Sequence, residues 1–385
     1  MKNFEFQTVP TIISQLGAAG QLGSIIRQHY PASQHILLVT DAGFLKTGLV
    51  QPAIDSIEAQ HLKVSVFSDV VADPPESVVT EAVANARVLN IDLVVGLGGG
   101  SSMDVAKLIA ILVGSDQTLA SMYGIGNVKG KRLPLIQIPT TAGTGSEVTP
   151  ISIVTTGATT KMGVVSPQLY ADIAILDAEL TVGLPTKVTA ATGIDAMVHA
   201  IEAYTTKHKK NPLSDMLARQ ALKLLWNNID QACTNGSNLV ARQSMLLGAM
   251  LAGQCFANAP CAAVHALAYP IGGIFHVPHG LSNSLVLPHV LRFNTPYAAE
   301  QYAELADIIA PDATGSTEAR SNALISAMQD LAERTGIETR LRQVGVSENH
   351  LDQLATDAML QTRLLGNNPR EVTFTDARAI YAAAL

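Results

Sequence analysis

Aromatic side chains are scarce, at 4% of 385 residues with a single tryptophan. Interiors must then be filled by Ala, Val, Leu and Ile, as in helices packed on a parallel sheet. Charge is scarce as well, at 15%, and no long Lys/Arg run exists. The densest basic stretch, Lys207-His208-Lys209-Lys210, reads as a solvated helix end, and with a formal net charge of −7 the chain is not expected to bind nucleic acid. The three cysteines, Cys233, Cys255 and Cys261, form no C-x-x-C pair, and their odd number reads as reduced thiols of a cytoplasmic protein. No apolar run approaches the roughly 18 residues a membrane span needs. The start, Met1-Lys2-Asn3-Phe4-Glu5, lacks the basic-then-apolar layout of a signal peptide.

What is abundant is apolar material, 48% of the chain, over a length that exceeds one ordinary core. Short β-rich runs at Ile36 to Thr40, Val64 to Phe67, Leu93 to Val95 and Leu135 to Ile138 alternate with helical spacing at Ser77 to Asn90 and Ser101 to Val113. That rhythm predicts a parallel sheet with helices on both faces. Less regular strands are expected around Ile151 to Val154 and Ile173 to Leu176. Beyond Leu184-Pro185 nearly everything reads as helix, so the expected domains are residues 1–183 and 184–385.

Within the helical half, Asp195 and His199 stand four residues apart in an apolar helix and share one face. Burying a carboxylate and an imidazole there costs several kcal/mol unless something pairs with them. Two more imidazoles occur in apolar settings, His265 in Val264-His265-Ala266-Leu267 and His279 in Val277-Pro278-His279-Gly280. One carboxylate and three imidazoles suit a divalent transition metal. The bland alternative is an Asp195–His199 hydrogen bond inside a helical core.

In the first half, Gly96-Leu97-Gly98-Gly99-Gly100-Ser101-Ser102-Met103-Asp104 joins a strand to a helix, where backbone N–H groups can cradle a phosphate. It misses the dinucleotide fingerprint, with Ser101 where a third glycine belongs, and no Gly-Lys-Ser/Thr makes it a P-loop. Ser101 and Asp104 read equally as a capping box. Three consecutive glycines exceed what a turn requires, which favours close approach of a ligand. Pro139-Thr140-Thr141-Ala142-Gly143-Thr144-Gly145-Ser146-Glu147 is small and hydroxyl-rich, fit for a flat polar ligand or simply a hydrophilic loop. Asp41 ends the first strand, as either a ribose-binding acid or a helix cap.

Together these segments resemble the iron-containing (group III) alcohol dehydrogenases of the dehydroquinate-synthase-like superfamily. The resemblance runs over nearly the whole chain: Gly98-Gly99-Gly100-Ser101 with Asp104 and Lys107, Thr140 to Glu147, Leu184-Pro185 through Asp195, His265, Pro278-His279-Gly280 and Asn368-Pro369-Arg370. It implies an α/β, Rossmann-like nucleotide-binding domain, an all-helical metal-binding domain and a cleft between them. Position by position, it implies Asp195, His199, His265 and His279 as ligands to iron, with zinc the alternative since such sites bind it tightly. It implies pyrophosphate on Gly98 to Ser101, with Asp104 nearby, and Asp41 on the adenosine ribose, hence NAD rather than NADP. Thr140, Thr141, Thr144, Lys161 and Leu180 would line the cofactor groove, and Phe256 would stand beside the nicotinamide.

The implied reaction is hydride transfer between a carbinol carbon and nicotinamide, with the substrate oxygen polarised by the metal. One ligand carboxylate against a dication leaves a positive site. Many members carry a histidine four residues after the third ligand, where this chain has Tyr269, a poorer proton shuttle at pH 7 than an imidazole. His276 is either its substitute or a surface residue. Pro150, Ile151, Ala252, Phe256 and Ala259 suggest a short primary alcohol, aldehyde or diol, and a homodimer or larger homo-oligomer is expected. A dehydroquinate-synthase-like lyase would need several Lys/Arg, and residues 252–273 and 140–150 contain none. Retention of all four ligand positions argues against a maleylacetate-reductase-like enzyme.

Overall fold

The computed structural model describes residues 3–157 and 160–385. Two compact units form, Thr8–Val182 and Gly183–Leu385, the latter joined by the segment up to Gln7. That segment is held by Asn258, whose amide donates to Gln7 O (2.8 Å) while its Oδ1 accepts the Gln7 N–H (2.7 Å). No local pattern signals such a contact.

The strands of the first unit are β1 (Thr11–Ser14), β2 (His35–Asp41), β3 (Lys63–Val70), β4 (Leu93–Gly98), β5 (Gly124–Ile125), β6 (Leu135–Pro139), β7 (Ile151–Thr156), β8 (Thr160–Val165) and β9 (Ile173–Leu176). Six of them make a parallel sheet in the order β1-β9-β6-β4-β2-β3. Its helices are α1 (Leu22–His29), α2 (Ala42–Lys46), α3 (Gln51–Ala59), α4 (Glu76–Val88) and α5 (Gly100–Leu112). Alternate strand residues face opposite sides. Ile36, Leu38, Val95 and Ile136 pack with Leu22, Ile26 and Ile57 of α1 and α3. The other face meets α5, where a Cβ on Gly96 would stand 2.9 Å from Ala106 and where Gln137 Nε2 donates to Met103 O (3.0 Å).

The doubly wound reading of the sequence is therefore what the chain builds. The small second sheet, β5-β8-β7 with an antiparallel β7–β8 pair, was legible only at β7. Thr160–Val165 contains Lys161 and Gly163, and Thr11–Ser14 is too short, for either to read as a strand.

The second unit consists of α6 (Thr186–Thr205), α7 (Pro212–Thr234), α8 (Leu239–Asn258), α9 (Ala263–Phe275), α10 (His279–Ile309), α11 (Thr317–Arg334), α12 (Leu351–Met359), α13 (Thr362–Leu365) and α14 (Phe374–Ala384). Polar side chains set several starts: Asn211, Asn238 and Ser316 accept the N–H three residues on in α7, α8 and α11. Asn368 exchanges amide bonds with Asn294 (2.9 and 2.7 Å), and Arg370 lies over Phe293 at 3.9 Å, so Asn368-Pro369-Arg370 clamps the C-terminal segment to α10. Among the described residues no single helix is long and apolar enough to cross a membrane. All three cysteines are buried free thiols, and burial pushes Cys233 up to about 11.

Candidate metal centre and nucleotide site

α6 carries Asp195, His199 and Glu202 on one face, at 2%, 4% and 3% exposure. α9 brings His265 in its first turn, and α10 begins at His279, directly after Pro278. The close start of α10 depends on Gly280, where a Cβ would stand 2.3 Å from Ala191 O and 3.2 Å from Asp195 Cβ. Only a residue without a side chain lets the two helices meet there.

The result is that one ligand atom from each of Asp195, His199, His265 and His279 lies within 4.8 Å of all the others. His265 Nε2 stands 3.8 Å and His279 Nε2 3.6 Å from Asp195 Oδ1. Those separations are too long for hydrogen bonds and short enough to share one cation. The rings of His199 and His265 stack at 4.6 Å, and Phe256 stacks on His199 at 4.3 Å. Tyr269 lies beside His279, ring centres 6.0 Å apart, whereas His276 is exposed at a left-handed residue ending α9.

Glu202 is the residue the sequence reading missed. Its Oε2 accepts His265 Nδ1–H (2.6 Å) and Ala262 N–H (3.0 Å), and its Oε1 accepts Val264 N–H (2.7 Å). A carboxylate accepts here, so Nδ1 carries a proton and Nε2 is the ring atom left to ligate a metal. That Nε2 is buried without a hydrogen-bond partner, with an Asp195 carboxylate oxygen opposite. Four ligand atoms converge there, and Nε2 makes no hydrogen bond 3.8 Å from Asp195 Oδ1, so the donor set fits a divalent metal. The spacing was visible, since Glu202 lies seven residues after Asp195 and so on the same helical face.

A second missed residue is Asn283, fully buried, whose Nδ2 donates to Asp195 Oδ1 (2.6 Å) and lies 3.2 Å from His279 Nε2. Burial alone would raise the Asp195 carboxyl, but His199, His279, His265 and the Asn283 amide bring it below the ordinary value, so it stays ionised.

In the first unit the strand order reverses between β2 and β4, and the segments picked from sequence end neighbouring strands there. Asp41 closes β2, Gly98 closes β4, and Thr140 follows β6 with its N–H on Gly98 O (3.0 Å). The carboxyl edge at such a reversal is where open α/β sheets bind ligands. α5 starts at Gly100 behind Gly99, which offers no side-chain cap. A Cβ on Gly98 would meet Ser102 at 2.6 Å and one on Gly100 would meet Thr144 at 2.8 Å, while Gly99 has nothing nearer than Thr141 at 3.9 Å. The first and third glycines thus serve packing, and the second keeps the helix N-terminus open to an anion.

Asp104 does not form the capping box with Ser101. Its Oδ1 accepts from Ser146 Oγ (2.6 Å) and its Oδ2 from Ile153 N–H (2.8 Å), which ties the Thr140–Glu147 loop to α5. Lys107, fully buried, completes the tie by donating to Ser146 Oγ (2.7 Å) and Ile151 O (2.6 Å). Burial lowers its pKa, and beside it burial raises Glu147 to about 7. Lys107→Met should cost about 3 kcal/mol, because Asp104, Ser146 and Ile151 O lose a buried donor. The drop is read from urea midpoints, and an unchanged midpoint would remove the tie from the account. Asp41 Oδ1 accepts the Phe44 N–H (2.8 Å), so the residue does cap α2. Lys161 pairs with Asp73 (2.7 Å) and Thr155 (3.0 Å), and Leu180 packs in the core under the sheet.

Comparison with known proteins adds the following. Residues 10–178 match the iron-containing alcohol dehydrogenase family, and residues 189–385 match the Fe-containing alcohol dehydrogenase family, C-terminal. Long-chain-alcohol dehydrogenase 1 of Geobacillus thermodenitrificans is 41% identical over 356 residues, 91% of this chain and 90% of its own. A crystal structure of 1,3-propanediol oxidoreductase superposes with a TM-score of 0.96 at 34% identity, covering 100% of both chains. The NAD+ complex of sulfoacetaldehyde reductase from Bifidobacterium kashiwanohense gives 0.88 at 30% identity, covering 100% of this chain and 99% of that one.

Proposed function

The chain belongs to the iron-containing alcohol dehydrogenase family, and from that premise we propose how its own residues divide the work of an NAD-dependent alcohol dehydrogenase and aldehyde reductase. Asp195, His199, His265 and His279 hold the iron, in a metal-binding domain of residues 184–385. The observation that carries this is the orphaned, buried His265 Nε2 aimed at the Asp195 carboxylate. Bound iron supplies a Lewis acid for the substrate oxygen, and bound NAD supplies the hydride acceptor.

Residues 1–183 are proposed as the nucleotide-binding domain. The N–H groups at the start of α5, from Gly99 through Ser101, take the pyrophosphate. Thr140, Thr141 and Thr144 line the groove, with Asp104 and Lys107 fixing their loop. Asp41 accepts from the adenosine ribose and repels a 2′-phosphate. Lys161 and Leu180 already have structural partners, so they contribute at most through the shape of the groove.

Phe256 and Tyr269 flank the ligand cluster and present ring surface and a phenol to the substrate. The absence of Lys and Arg from residues 252–273 favours an uncharged short primary alcohol, aldehyde or diol. A homodimer or larger homo-oligomer and a cytoplasmic location complete the proposal.

The test is NADH formation by iron-loaded enzyme on a panel of alcohols, diols and a sulfonated aldehyde, with NAD and NADP in parallel. Short neutral alcohols and NAD should win. Asp41→Ser should weaken NAD by roughly 10–100-fold, the loss of one charge-assisted hydrogen bond, and narrow the preference over NADP. An unchanged NAD/NADP ratio would take Asp41 out of the ribose site.

A further inference from the structure

We propose that Glu202 is a positioning residue for the metal centre, fixing His265 with Nδ1–H on its carboxylate and Nε2 turned toward the cation. The inference rests on the ligand assignment above. Glu202 reaches across from α6 and grips α9 at three points: the ring of His265 and the N–H groups of Ala262 and Val264. Backbone and ring of one ligand are thus held by one carboxylate.

A simpler role is available, since α9 has no side-chain cap of its own and its N-terminal N–H groups need an acceptor. Yet a neutral Ser, Thr or Asn serves as a cap without burying charge. Here the acceptor is 3% exposed, and among the described residues no lysine or arginine pairs with it. Its third contact is the ring of a ligand itself, at 2.6 Å, which a helix cap alone would not need. Cys261 lies near enough to make Glu202, Cys261 and His265 a group of ligand types in its own right. The two Glu202 oxygens already accept three hydrogens, however, so the carboxylate acts through His265 rather than as a direct ligand.

Cobalt(II) is the probe, because its visible d–d absorption reports the ligand field and binding can be measured by chelator competition. In the full chain, Glu202→Gln should weaken cobalt binding by about 10–100-fold and shift the d–d bands of what remains bound. NAD affinity should not move. A cobalt constant and spectrum equal to the wild type would reduce Glu202 to a helix cap and overturn the proposal. If Glu202→Gln does not fold, the wild-type protein, zinc-loaded and labelled with ¹⁵N-histidine, decides instead through long-range ¹H–¹⁵N correlations. The proton of His265 should be found on Nδ1, and a bare or metal-bound Nδ1 would overturn the proposal. Wild-type protein that takes up no cobalt, or His265→Ala that binds it as tightly, would overturn the ligand assignment itself and this inference with it.

Discussion

Replacing His265 by alanine removes both bound metal and turnover and leaves NAD binding intact. The imidazole supplies one of four ligand atoms gathered within 4.8 Å, and its loss leaves the Asp195 and Glu202 carboxylates facing an empty volume. Losing a Lewis acid forfeits several kcal/mol of transition-state stabilisation, so kcat/KM should fall by at least about 10³-fold. Metal content by elemental analysis, NADH absorbance and an NAD fluorescence titration give the three readings. Chelating the metal from the wild type should reproduce the same profile. Retained metal with full activity would take His265 out of the centre.

Gly280→Ala should be nearly as damaging, although it touches no ligand atom. Alanine is the better helix former by about 1 kcal/mol, so propensity alone predicts a gain. Its Cβ, however, would stand 2.3 Å from the carbonyl oxygen and 2.8 Å from the carbonyl carbon of Ala191, backbone that has no rotamer to escape into. Overpacking of this kind costs about 1–3 kcal/mol and forces α10 away from α6. His279 and Asn283 move with it, and a displacement near 1 Å at a catalytic centre costs on the order of 10²-fold in rate. Melting temperature should drop by about 2–4 °C for each kcal/mol lost. Gly114→Ala is the control, with nothing within 4 Å of its added Cβ, and should leave metal content and rate unchanged. Equal behaviour of the two variants would mean that the α6–α10 approach does not matter.

Asp104 shows where local reading reaches its limit. The Ser101–Asp104 spacing suits a cap, and the resemblance suits a cofactor contact; the carboxylate instead binds Ser146 and Ile153, 42 and 49 residues away. Asp41 went the other way, since the cap that its position suggested is present at Phe44 and leaves its proposed ribose contact to be measured. Tyr269 follows His265 by one turn of α9, and its ring centre lies 6.0 Å from that of His279.

The amino-acid sequence by itself determined the parallel sheet, the helical second half and the four side chains able to share a cation. Periodicity, turn residues and residue chemistry are local properties, written in the order of the chain. Only the tertiary structure decided that Glu202 holds His265 across 63 residues, that Asn283 reaches Asp195 across 88, and that Gly280 is what lets α10 approach α6. Those contacts depend on which helix faces meet, and a meeting of faces is set by the packing of the whole unit rather than by any one stretch of it.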